Sequence, residues 1–338
     1  MSNKFLSTTS AFLLSTSMLV ADVPKVTVDI APVHSLVSKV MNGVGKPDLI
    51  IPAGASPHEY QLKPSNAQSL EDADIVFWIG EDLTPWLEKG LSSLAQDASI
   101  TSLLGVDGIE LLSFREGALF EAHDHDDHDG HDDHDDHDDH DDHGKKKHDD
   151  HDDHDDHDDH DDHEGHAHGE YDPHAWLSPQ IAKVWLNVIA AKLSEMDPDN
   201  AAKYFSNAKS ARDNVDSLVS EVNSILDPMR DKKFVVFHDA YQYFEKDLGI
   251  STSGAISLGD ASDPSPARLA EIRKRVVDEA VECVLAEPQY KQGLVKAVVE
   301  GTNANTAVID PLGAKLEPGP NLYENLIRNL ATNLAKCF

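Results

Sequence analysis

The chain has 338 residues, 40% of them apolar, which is enough for two ordinary domains with sizeable cores. Its formal net charge is −34, but 22 Asp, one Glu and three Lys between His123 and His168 supply −20 of this, leaving a moderately acidic remainder at −14. No basic face is available to displace counterions from phosphates, which excludes nucleic acid as a partner and favours a cation.

Residues 1–21 read as a secretory signal peptide. Lys4 gives a weakly positive start, the following stretch to Val20 is mostly apolar or small, and Ala21 offers a cleavage point before Asp22. The segment is too short and too rich in Ser and Thr for a membrane span, and no later stretch approaches the ~20 apolar residues a span requires. The expectation is an exported protein with no membrane insertion. Its two cysteines, Cys283 and Cys337, then suggest one disulfide, the alternative being two separate buried thiols.

Beyond the leader, strands alternate with helices. Val26, Val28 and Ile30 alternate in a strand over 25–33, followed by a short helix over 34–41 and a brief strand over 48–52. A helix over 64–73 opens on Pro64, which suits the first helical position. The run DIVFWIG at 74–80 has the continuous apolar character of a parallel strand buried on both faces. A helix over 83–94 and a strand over 100–104 complete the first half. This repetition predicts a parallel sheet covered by helices.

Composition then changes abruptly. From 123 to 168 the chain is dominated by a His-Asp-Asp triplet, which has no apolar residues to build a core and whose like charges repel, so it reads as a disordered loop. Helices are expected over 178–195 and, after the cap and Pro pair Asp197–Pro198, over 198–226, long enough to bridge two lobes. The second half repeats the first, with strands over 234–238, 250–258, 283–287 and 306–310 and helices over 240–248, 266–280, 291–301 and 322–336.

Sixteen of the twenty histidines belong to the acidic segment: His123, His125, His128, His131, His134, His137, His140, His143, His148, His151, His154, His157, His160, His163, His166 and His168. The other four are His34, His58, His174 and His238, each at a strand end or in a loop flanked by turn residues. In open parallel sheets, ligands bind beyond the carboxyl ends of the strands. His58, His174, His238 and Asp310, from four separate segments, therefore make a candidate tetrahedral zinc site. His34 follows the first strand and is a weaker candidate, and Glu287 is placed to hold an imidazole's other N–H. Asp172 and Asp239, next to the ligands, are further candidates for that role.

The segments GASPHEYQLKPS, DPHAWLSP, FVVFHDAYQYF, AEPQY and IDPLG resemble, in order, those of the periplasmic zinc-binding proteins of ATP-driven zinc importers, the ZnuA type, and the likeness extends from residue 25 to the end. The resemblance implies two (β/α)4 lobes with parallel sheets joined by one long rigid helix, with the metal in the cleft between them. The organisation it suggests is an N-terminal lobe over 22–122 completed by 169–196, the loop over 123–168, a linking helix over 197–228 and a C-terminal lobe over 229–338. It implies that His58, His174 and His238 are the zinc-binding histidines and that Asp310 is the fourth ligand, with Glu59 or a water as alternatives. Some members place a glutamate directly before the first histidine, where this chain has Pro57. A disulfide between Cys283 and Cys337 matches one in zinc-specific relatives.

The function implied is a monomeric, periplasmic binding protein that delivers Zn2+ as transported ligand to the membrane permease of an ABC importer. Three imidazoles with one carboxylate favour zinc over the manganese or broader divalent-metal reading, since carboxylate-rich sites suit manganese. The loop histidines would form a low-affinity metal store that raises local zinc concentration, or a spacer. A zinc hydrolase with Glu59 as general base is the rival reading. The chain lacks an HExxH helix, and the expectation is that it is not an enzyme. A metal buffer or adhesin without a transporter is a second rival.

Overall fold

The computed structural model describes residues 23–115, 171–257 and 264–338, all within one compact unit. The expected signal peptide, 1–21, and the loop over 123–168 with its sixteen histidines lie outside the described residues.

The first sheet is formed by β1 (Val26–Val28), β2 (Asp48–Leu49), β3 (Ile75–Trp78) and β4 (Ser99–Ser102), all parallel, in the order β2-β1-β3-β4. The second is formed by β5 (Phe234–His238), β6 (Ala255–Ser257), β7 (Cys283–Ala286) and β8 (Asn305–Val308), again parallel, in the order β6-β5-β7-β8. Each half therefore has the same topology, as two (β/α)4 lobes require. The central strands are apolar and fully buried, β3 as IVFW and β7 as CVLA, because helices cover both faces of each sheet.

The first sheet carries α1 (Ala31–Val40), α2 (Pro64–Glu71) and α3 (Pro85–Leu94), each with a proline at its first or second position. The second carries α6 (Gln242–Leu248), α7 (Pro266–Asp278), α8 (Gln292–Val299) and α9 (Leu322–Ala335). Between them run α4 (Pro179–Met196) and the 26-residue α5 (Ala201–Leu226). The helix expected from Pro198 onwards starts instead as a 3-10 turn, Pro198–Asn200, since Asp197 accepts hydrogen bonds from Asn200 and Tyr204 through its carboxylate and holds the entry tight. The first helix begins at Ala31, three residues earlier than expected, because Ile30 is already extended and Pro32 pre-sets a helical φ.

One face of α5 is buried: Tyr204, Ala208, Ala211, Val215, Leu218, Val222 and Leu226, spaced three or four apart. It packs on α1 and α4 and also on α9. The largest apolar cluster accordingly runs without interruption from β1 and β3 through α4 and α5 to β5 and α9. A second, smaller cluster fills the other face of the second sheet, with Val235, Phe237, Ile256 and Val284. Cys283, at the start of β7, is disulfide-bonded to Cys337 just past α9, with Cα atoms 5.8 Å apart.

Candidate metal centre

His58 sits in an irregular segment between β2 and α2, after a turn in which Gly54 adopts φ +85°. The segment is held from outside: Trp86 Nε1 donates to the Pro57 carbonyl at 2.7 Å, and the Tyr60 hydroxyl donates to Asn66 Oδ1, whose amide in turn donates to the Ile50 carbonyl. Pro57 is buried and His58 half-buried, while Glu59 points to the exposed side.

His174 precedes the 3-10 turn Ala175–Leu177 that leads into α4. Its backbone N–H donates to Asp172 Oδ1 at 2.9 Å, and its ring Nδ1 lies 2.7 Å from the same oxygen. Asp172 is fully buried. Its N–H donates to the Leu112 carbonyl, its carbonyl accepts from the Tyr243 hydroxyl, and its Oδ2 accepts from Gln242 Nε2. An antiparallel bridge between Ser113 and Tyr171 completes this stem.

His238 ends β5, where the strand FVVFH emerges from the core. Its Nδ1 is 2.7 Å from Glu287 Oε1, one residue beyond β7, and Glu287 is 1% exposed. Adjacent parallel strand ends thus deliver an imidazole and the carboxylate that orients it. Tyr290, stacked on Phe237 at 4.4 Å, walls the ring on one side.

The three imidazoles line one pocket together with Pro57, Trp176, Glu287 and Gln289. Ring centroids are 5.8 Å apart for His58 and His174 and 5.3 Å for His174 and His238. Two rings sharing one tetrahedral zinc at bonds of ~2.0–2.1 Å have centroids about 5 Å apart, so both pairs stand somewhat wider than that. Among the described residues no group of three or more His, Cys, Asp or Glu side chains is close enough to hold a metal ion as it stands. The arrangement is an open one, with the rings gathered but not drawn in.

Asp310 lies two residues past β8 and lines a neighbouring cavity with Pro288 and Lys315. Its Oδ1 accepts from the N–H groups of Leu312 and Gly313 at 3.1 and 3.0 Å and from Gln289 Nε2, and its Oδ2 accepts from Ala314 N–H at 2.6 Å. Here the carboxylate organises the turn after the strand. His34 is also apart from the pocket: its Nε2 bonds to the Pro47 carbonyl, and burial lowers its pKa. At the pocket Gln289 Oε1 is buried without a hydrogen-bond partner, while Glu287 bears on the buried Tyr241 hydroxyl, whose pKa is pushed up by burial and then by that carboxylate. Gln289 stands in the AEPQY segment but carries no titratable group, so reading the sequence for ligands passed over it. The stem around Asp172 was equally hidden, because its partners come from residues 112, 242 and 243.

Twin parallel α/β lobes spanned by a long helix, with imidazoles gathered at the strand ends between them, are the fold of the solute-binding proteins that carry metal ions. The chain belongs to the family described as zinc-uptake complex component A, periplasmic, whose model matches residues 26–337. It is 48% identical over 330 residues to the high-affinity zinc uptake system protein ZnuA of Brucella abortus (strain 2308), covering 97% of this chain and 96% of that one. It is 45% identical over 318 residues to the protein of the same name from Paracoccus denitrificans (strain Pd 1222), covering 94% and 92%. A crystal structure of ZnuA superposes with a TM-score of 0.70 at 21% identity, covering 94% of this chain and 99% of the other.

Proposed function

We propose that this chain is the exported zinc-binding component of an ATP-driven importer, capturing Zn2+ outside the inner membrane and passing it to a permease. The observation that carries the reading is the convergence of His58, His174 and His238 on one pocket, with the Nδ1 atoms of His174 and His238 each held by a buried carboxylate. That bond orients the ring, raises its basicity and assigns ligation to Nε2. Asp172 and Glu287 also supply two buried negative charges, which offset the two positive charges of the cargo while three neutral imidazoles bind it.

For the fourth position Asp310 stands first, with Glu59 or a water as alternatives: its Oδ2 accepts one hydrogen bond, from Ala314 N–H, and a carboxylate oxygen has a second lone pair to offer a metal. Three nitrogen ligands suit zinc better than manganese. The hydrolase reading is less favoured, since Glu59 is exposed and does not line the pocket, and Asp172 and Glu287 are each bonded to an imidazole. The resemblance supports a monomer in the periplasm, released from its signal peptide, with the loop histidines as a weaker store of the same ion.

The test is metal content after purification without a histidine tag, on the full mature chain and on one lacking residues 123–168. One firmly held zinc in both, lost when His58, His174 and His238 are replaced by alanine, is the expected result. A triple variant without the loop that still holds zinc firmly would remove the proposed site.

A further inference from the structure

Arg115 closes the stem that leads to His174, two residues beyond Ser113 and its bridge to Tyr171. Its guanidinium reaches into the second lobe. Nε donates to both Asp239 oxygens at 3.0 and 3.1 Å, Nη1 to Glu245 Oε2 at 3.0 Å and Nη2 to Glu245 Oε1 at 2.9 Å, with Thr252 Oγ1 at 3.5 Å from Nη1. Asp239 and Glu245 are each 6% exposed. One cation therefore holds together two buried carboxylates that otherwise repel, and a planar fork does this where a point charge does not. Asp239 directly follows His238, while the stem carrying Arg115 is bonded to Asp172, the partner of His174.

We propose that Arg115 is a positioning residue, a cross-lobe clamp that sets the separation of His174 from His238 and so governs how slowly bound zinc leaves. The inference rests on the three-histidine reading of the site. An exposed cross-lobe ion pair, Lys246 with Glu110, lies near it, with side chains 46% and 75% exposed. Pairs so exposed are screened by solvent and contribute little, which makes Lys246 the natural control.

The experiment follows release of zinc from the full mature protein into excess chelator, with the melting temperature of the metal-free protein measured alongside. Arg115→Met is expected to speed release of the firmly held ion about 10-fold, the low end of the range for direct partners of metal ligands, since Arg115 acts through Asp239 and the 112–113 stem. Methylguanidinium added to that variant is expected to slow release again, which a general loss of packing does not produce. Arg115→Lys should fall between, and Lys246→Met should match the wild type. Wild-type release from folded Arg115→Met overturns the clamp. If that variant does not fold, wild-type release from Arg115→Lys does so. Alanine variants of His58, His174 and His238 run in parallel separate the two ideas. If they keep the slow phase, the site reading fails; if they lose it while the Arg115 variants do not, only the clamp fails.

Discussion

A ligand histidine is decided as much by the nitrogen that does not touch the metal as by the one that does. Glu287 holds His238 and Asp172 holds His174, both at 2.7 Å and both buried. Glu287→Ala should weaken firm zinc binding by about 10- to 100-fold, read by chelator competition; an unchanged affinity would mean the ring orients itself. Another buried carboxylate, Asp29, accepts from the N–H groups of Ile30 and Ile79, and its pKa is pushed up to about 7, chiefly by burial. A raised carboxylate pKa means the folded state keeps a proton that the unfolded chain has lost. The stability Asp29 contributes is fully present below pH ~4 and declines as pH rises towards 7, by up to roughly 4 kcal/mol. Urea unfolding of the metal-free protein across this range should show the decline, and Asp29→Asn, which has no proton to lose, should flatten it. Parallel curves for the two proteins would place the Asp29 pKa near its ordinary value.

At the scale of elements, α5 carries the greatest weight. Its stripe from Tyr204 to Leu226 is the surface on which both lobes rest, through α1 and α4 on one side and α9 on the other. Leu218 is 2% exposed, so Leu218→Ala should cost about 2–5 kcal/mol of unfolding free energy in denaturant titration. The length of α5, the buried runs of β3 and β5 and the helix start at Pro64 were legible, because each is a local pattern set by periodicity or by a fixed φ, whereas the start of α1 at Ala31 and the 3-10 turn at Pro198 were not. His58, His174 and His238 could be picked out because only four histidines lie outside the acidic segment, and the structure brings these three to one pocket. What was not legible depends on distant partners. The stem that holds Asp172 draws on Leu112, Gln242 and Tyr243. Arg115 and the 112–113 stem lie in a stretch without strong periodicity, and their importance comes from residues 239 to 252, well over a hundred positions away.

For the molecule as a whole, the disulfide between Cys283 and Cys337 closes a loop with a sequence separation of 54. Chain-entropy reasoning for such a loop gives about 4 kcal/mol, so reduction, or Cys283→Ser with Cys337→Ser, should lower the denaturation midpoint accordingly. Zinc at a thousandfold excess over its dissociation constant should add a similar ~4 kcal/mol by mass action, so chelation of the wild type is expected to lower the melting temperature. A melting temperature indifferent to chelator would mean that the folded chain does not hold the ion. The unbroken apolar cluster from one sheet to the other bears on how the cargo gets out. A wide hinge swing would bring the packed faces of α1, α5 and α9 into water, at ~25 cal/mol for each Å² uncovered. Such a swing is therefore costly, and it would also have to break the bonds of Arg115 to Asp239 and Glu245.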